Sequence, residues 1–385
     1  MTRLTVGIDA RFITRQPRRG IGSYSLNLVS ELVQVDSTIE YILYISSPDV
    51  EAILPVLPNV TVKQLKAPFY PLWENIALPL AAIRDRIDVL HCLGNTAPLF
   101  MPKSIPLVLS LMDVMFLQPS EFIPKPTTLY QKCGRIYRRF LVPRIARSAD
   151  RIITISEYSR YDILKMVPGL DCSRVIVTHL SSDKLFSRGS DASCTRNVAS
   201  STEFPYILCL GAEDPRKNTL RLIRAFIRLI NEHNIREHLV ISGYANWQNS
   251  EAYRAVRNAG ALSRVTFLEF IDIDDLAHLY SEASVFVYAS LYEGFGIPLL
   301  EAFSSGCPVI ASRVTSIPEV GGDAALYFDP LNEDEIAQTL LRVLRDDAMR
   351  VSLKERGYAR SAQFSWKETA RKTVAVYRKY TEDHI

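Results

Sequence analysis

Short β-branched or apolar runs alternate with stretches of helical period along the whole chain. LTVGI, EYILYI, VTVKQL, DVLHCL, LVLSL and DRIITI in the first half, and YILCLG, HLVISG, VTFLEF, VFVYAS and CPVIAS in the second, have the length and composition of strands. Near-continuous apolar strands separated by helices predict parallel sheets covered on both faces. A chain of 385 residues is too long for one comfortable core, which predicts two doubly wound, Rossmann-like α/β domains. The Ser- and Thr-rich stretch SRGSDASCTRNVASSTEF reads as a linker. The expected boundaries are therefore 1–188 for an N-terminal domain, 189–204 for the linker, 205–365 for a C-terminal domain and 366–385 for a final helix. In that helix Trp366, Ala370, Val374 and Tyr377 fall at helical spacing. Two such domains would present the carboxyl ends of their strands to a cleft, the usual ligand position of open α/β sheets.

Charge divides the two halves. The net charge is only +3, but residues 1–190 carry 23 basic and 16 acidic side chains, an excess of +7 that leaves −4 for the rest. Much of the excess lies in Lys132, Arg135, Arg138, Arg139, Arg144, Arg147 and Arg151, opposite the apolar positions Leu129, Cys133, Ile136, Tyr137, Phe140 and Leu141. Two readings fit: a basic amphipathic helix lying on an anionic membrane surface, or a helix packed on its own sheet with a solvated basic face. A nucleic-acid partner is not expected, since total charge is low and no aromatic and basic residues interleave. The six cysteines are scattered without zinc or disulfide spacing, and no apolar stretch reaches the roughly 20 residues of a membrane span. With no signal-peptide hydrophobic region in MTRLTVGIDARF, a cytoplasmic protein is expected, with peripheral contact to the inner face of the plasma membrane as the extension of the basic-helix reading.

The strongest chemical constellation follows the strand VFVYAS, where SLYEGFG runs into IPLLEAFSSG. Gly294 and Gly296 permit close backbone approach, Pro298 suits a helix start, and Glu301 is expected in the first helical turn. Free N–H groups there favour a diphosphate, and Glu293 and Glu301 on either side can accept hydroxyl hydrogen bonds. The bland alternative is a helix-dipole role for Glu301 and a solvated Glu293. A second constellation, AEDPRKNTLRLIRAFIRLI, places Arg216 and Lys217 at a strand's carboxyl end, with Asn218 as the expected cap of the helix that follows. Cations beside a helix N-terminus call for an anion, which points to phosphate. Gly20-Ile21-Gly22 lacks the position and third glycine of a dinucleotide fingerprint. Asp272 and Asp274 resemble a metal-binding pair, but the helical pattern DLAHLYSEA follows at once, so capping is the better reading and no metal site is assigned. His91 ends a strand and either faces the cleft or is packed.

Taken together, GIDARF, RGIGSYSLNL, ITISEYSRYDI, LGAEDPRKN, the long segment from LYSEASVFVYAS to ALYFDP, and FSWKETA closely resemble bacterial retaining glycosyltransferases of family 4, of mannosyl- and rhamnosyltransferase type. The resemblance implies the GT-B fold, two Rossmann-like domains facing a cleft, with the final helix crossing back to the N-terminal domain. It implies a nucleoside-diphosphate sugar as donor, a saccharide or lipid-linked saccharide as acceptor, and no metal or other cofactor. By motif position Glu293 would lie by the donor sugar, Glu301 on the ribose, and the backbone of Phe295, Gly296 and Ile297 around the sugar. Lys217 and Arg216 would grip the diphosphate, Gly22 would approach the phosphates, and Ser156 would line the cleft. Relatives usually have a His-Asp pair where this chain has Met112 and Asp113. The resemblance keeps Asp113 among the catalytic candidates and Met112 beside the donor. Because a thioether offers no strong hydrogen bond, a 6-deoxyhexose donor such as rhamnose is one expectation, and a catalytically impaired binding or scaffold subunit is the alternative.

Overall fold

The computed structural model describes residues 3–14, 20–47, 57–118, 129–187 and 204–382. They form two compact α/β units. The first takes the described residues up to Leu117, those from 129 to Leu180, and those from Ser365; the second runs from Ser181 to Phe364 apart from the undescribed stretch.

Unit one is a seven-stranded parallel sheet of order β3-β2-β1-β4-β5-β6-β7. Its strands are β1 (Thr5–Asp9), β2 (Glu40–Ile45), β3 (Val60–Gln64), β4 (Val89–Cys92), β5 (Leu107–Ser110), β6 (Arg151–Thr154) and β7 (Val175–Val177). The helices are α1 (Ile21–Val35), a run from Tyr70 to Arg84 containing α2 (Tyr70–Leu72), a π-helical turn (Trp73–Ala77) and α3 (Leu78–Arg84), then α4 (Leu129–Ser148) and α5 (Glu157–Met166). The last helix, α13 (Trp366–Glu382), packs on α1 and so belongs to this unit. Tyr24 and Trp366 meet at 6.2 Å between ring centroids, Arg378 pairs with Asp36, and Tyr377 is wholly buried. The helical spacing read from FSWKETARKTVAVYRKY is this buried face.

Unit two is a six-stranded parallel sheet of order β10-β9-β8-β11-β12-β13. Its strands are β8 (Tyr206–Leu210), β9 (His238–Ser242), β10 (Val265–Leu268), β11 (Val285–Tyr288), β12 (Val309–Ser312) and β13 (Ala325–Phe328). The helices are α6 (Thr219–His233), α7 (Glu251–Asn258), α8 (Ile273–Glu282), α9 (Ile297–Ser304), α10 (Ile317–Gly321), α11 (Glu333–Arg345) and α12 (Asp347–Ser361). β11 and β12 are buried at every position, as strands covered by helices on both faces must be.

All eleven expected strands are present, and β7 and β13 are additional. Both are edge strands, of three and four residues. The expected end of the N-terminal domain at 188 lies past the packing boundary. Phe186 is buried edge-on against Tyr280 and Ser182 bonds Ser304, which joins 181–187 to unit two. Most of the expected linker lies outside the described residues; Phe204, at its end, stacks on His238 at 4.7 Å.

Candidate functional site

In unit two the strand order reverses between β8 and its neighbours β9 and β11, a topological switch point where ligands of open α/β sheets bind beyond the strand ends. The β8 and β11 loops carry the candidate residues. After β8, Gly211 leaves the sheet where a Cβ would stand 2.3 Å from Ile241. Asp214 then caps a 3-10 turn, Pro215–Lys217. Its carboxylate also takes the Arg216 guanidinium, with Nε at 2.9 Å. Lys217 Nζ lies 2.8 Å from Glu293 Oε1 and 5.5 Å from the Tyr288 ring centroid. Both cations thus sit at the strand end as expected, each answered by a carboxylate of the chain itself. Asn218 stands at the N-cap position of α6 as expected, but its side chain makes no cap bond. It adopts φ +56°, donates to the Pro330 carbonyl and accepts from Arg221, so its amide is committed elsewhere.

The β11 loop is tied to the β8 loop by Leu291 N–H donating to the Arg216 carbonyl at 2.7 Å. Burial opposes charge on Glu293, but Lys217 more than offsets it, aided by the Ser290 and Tyr288 hydroxyls, so this carboxyl is held below its usual range. Phe295 is buried against Phe364, and Gly296 takes φ +114°, a conformation open to glycine, to enter α9. α9 starts without a side-chain cap. Glu301 lies on the second turn of α9, not the first, because the helix begins at Ile297. Dipole complementation therefore does not explain it. Burial pushes Glu301 up to about 7; the Tyr280 hydroxyl, 3.2 Å away, opposes the rise, Asp183 adds to it and Lys217 opposes it. Two neighbouring carboxyls are thus driven apart, one firmly ionised and one titrating near neutrality.

Unit one holds the other candidates. Gly22 is buried in the first turn of α1. Met112 is buried, its amide donating to Asn95 Oδ1 at 2.8 Å, and Asp113 accepts the Met115 amide at 3.1 Å. Ser156 is buried and caps α5 through the Ser159 amide. His91 is packed: its ring bonds Tyr377 and, at 2.8 Å, Ser110, and burial pushes it down to about 3, so it stays neutral. Asp272 caps α8 through the Asp275 amide at 2.8 Å. Among the described residues no three His, Cys, Asp or Glu side chains gather as a metal ligand set.

A protein-family model described as glycosyl transferases group 1 matches residues 195–360. The O-antigen chain mannosyltransferase B of Escherichia coli is 30% identical over 390 residues, spanning 94% of this chain and 97% of that relative. The chain belongs to the group 1 glycosyltransferases. A second relative, the MMP alpha-(1->4)-mannosyltransferase of Mycolicibacterium hassiacum, is 29% identical over 78% of this chain and 72% of its own length. Sucrose-phosphate synthase of Thermosynechococcus elongatus superposes with a TM-score of 0.74 at 20% identity, covering 99% of this chain and 100% of that one, which places the fold among GT-B structures.

Two features of this glycosyltransferase escaped the sequence reading. In unit two, Thr315 and Ser316 after β12 bond the backbone of Glu293 and Phe295; a serine and a threonine in a turn give no signal of that reach. In unit one, past the end of β1, Arg11 Nη2 bonds Glu74 at 2.7 Å and pairs with Asp9 at 2.8 Å. Burial opposes its charge, yet Asp9, Tyr70 and Glu74 raise its pKa. Glu74, buried within the π-helical turn, also accepts from Tyr70, Thr96 and Tyr137. The motif GIDARF contains the arginine, but its partner 63 residues on has no sequence mark.

Proposed function

We propose that this glycosyltransferase moves a hexose or 6-deoxyhexose, of mannose or rhamnose type, from a nucleoside-diphosphate donor to a saccharide or lipid-linked saccharide acceptor in surface polysaccharide synthesis. The observation that carries the reading is the Lys217–Glu293 pair at the β8/β11 switch point, beside the uncapped start of α9. A diphosphate there meets Lys217, Arg216 and the α9 backbone, Glu301 accepts ribose hydroxyls, and Glu293 with the Phe295–Ile297 backbone takes the sugar. The bond from the anomeric carbon to the diphosphate oxygen breaks, and the acceptor oxygen bonds that carbon from the same face, retaining configuration. The acceptor's proton passes to a donor phosphate oxygen. Arg216 and Lys217 stabilise the departing diphosphate without a metal.

The mannosyl names of the relatives favour mannose, and the thioether of Met112 favours a sugar lacking the 6-hydroxyl. The test is transfer by purified protein across GDP- and dTDP-linked mannose, rhamnose and glucose, with and without chelator, followed by product mass and anomeric analysis. Expected is a retained linkage from a mannose or rhamnose donor at undiminished rate in chelator. Inverted product, or activity abolished by chelator, overturns the mechanism; absence of any turnover across an adequate acceptor panel overturns the enzyme reading in favour of a binding subunit.

A further inference from the structure

The geometry points to Thr315 and Ser316 as positioning residues that hold the Glu293 backbone, and through it the carboxylate, in register with Lys217. This inference rests on the donor-site reading above. Glu293 lies in an irregular loop between β11 and α9, where no ladder of strand or helix bonds fixes its backbone. The turn after β12 supplies the fixing instead. Thr315 Oγ1 accepts the Glu293 N–H at 3.2 Å. The Ser316 hydroxyl, fully buried, lies 2.9 Å from the Glu293 carbonyl and 2.8 Å from the Phe295 carbonyl, its single proton shared between them. Glu293 is therefore held at both of its backbone polar groups by consecutive residues of another segment.

Thr315 reaches its bond from φ +56°, where a β-branched residue is a true outlier. A glycine there would be free of strain and an asparagine nearly so; a threonine brings instead the one hydroxyl that answers the Glu293 amide. Strain held against such an alternative marks positions where the local geometry has a use. With its backbone fixed, Glu293 has only its side-chain torsions left, and Lys217 at 2.8 Å selects among them. A reacting group displaced by about 1 Å loses on the order of 100-fold in rate, so this clamp bears on turnover more than on donor binding, for which Arg216, Lys217 and Glu301 are separate holds.

The test is steady-state kinetics with thermal unfolding for Thr315→Gly, Thr315→Ser and Ser316→Ala, with Glu293→Gln as reference. Thr315→Gly removes the hydroxyl and the strain together. Expected is an unfolding temperature equal to or above wild type, a kcat lowered about tenfold or more, and a donor KM within about twofold, with Thr315→Ser restoring most of the loss. Ser316→Ala is expected to repeat the kcat loss. Wild-type kcat in both Thr315→Gly and Ser316→Ala, while Glu293→Gln is impaired, overturns the positioning role and leaves the donor site standing. Normal turnover in Glu293→Gln overturns the donor site itself. A loss of kcat that follows a lowered unfolding temperature in every variant, with no rescue by serine, marks a purely structural role and also overturns the inference.

Discussion

Glu293 and Glu301 are eight positions apart and chemically alike, and their surroundings make them different acids. Lys217 and nearby hydroxyls keep Glu293 ionised against its burial, whereas Glu301 titrates near 7 because burial outweighs the single Tyr280 hydroxyl bond. A protonated Glu301 has lost part of its capacity to accept a ribose hydroxyl. Donor KM is therefore expected to rise as pH falls from about 8 to 6, while Glu301→Gln has a high, pH-flat KM over that range. The linkage sign is independent of substrate: between 4.5 and about 7 the folded chain keeps a proton that the unfolded chain has released. Stability contributed by this group thus falls as pH rises through that window, and the glutamine variant lacks the slope. A donor KM independent of pH in wild type, read from rate profiles at saturating acceptor, would refute the assignment. The residue types here were legible, since two acids around Gly-x-Gly before a helix already mark an anion site; their opposite titration was not, because it depends on Lys217 and Tyr280, distant in sequence.

At the scale of elements, the central strands β4, β5, β11 and β12 read true because each is buried at every position and so written as an apolar run, while β7 and β13, at the sheet edges, are only partly buried. The helical run from Tyr70 to Arg84 shows where pattern fails altogether. Its π-helical turn carries Glu74, which meets a guanidinium from just past the end of β1 and three hydroxyls from Tyr70, Thr96 and Tyr137. The Arg11 guanidinium is also enclosed by the rings of Tyr70, Trp73 and Phe12, at 4.3, 4.8 and 5.0 Å. Removing one member of a buried charge pair strands the other, at a typical cost of about 3–5 kcal/mol. Arg11→Met is accordingly expected to destabilise unit one by about 3 kcal/mol, read as an earlier first transition in urea, with the unit-two transition unmoved. An unchanged first transition would show that the network contributes nothing to the fold.

Across unit one as a whole, apolar and basic groups are exposed together. Ile76, Leu80 and Ile83 lie four and then three residues apart on one exposed helical face, and Ile136 and Phe140 do the same on α4, all outside the core. The two helices meet where Asn75 donates to the Tyr137 hydroxyl at 3.1 Å, and the Asn75 side chain also accepts the Leu99 amide, next to the exposed Phe100. Arg138, Arg139 and Arg144 are exposed on α4, and Arg84 and Arg86 at the end of α3; Lys132 lies outside the described side chains. The charge excess visible in the sequence thus coincides with apolar side chains that are exposed among the described residues, the combination that favours an anionic bilayer surface over simple solvation. No helix among the described residues is long and apolar enough to cross a membrane. Each surface arginine near an anionic leaflet contributes about 1 kcal/mol. Arg138→Gln, Arg139→Gln and Arg144→Gln combined are therefore expected to weaken binding to phosphatidylglycerol-containing vesicles about 100-fold. Wild-type binding should also fall steeply with salt, because the attraction acts only within a Debye length. Flotation with vesicles separates the cases: equal recovery on neutral phosphatidylcholine would make the attachment apolar alone, and recovery on neither would return the basic face to solvent. Recovery on anionic vesicles alone would put the first unit where a lipid-linked acceptor of the proposed transfer would reside.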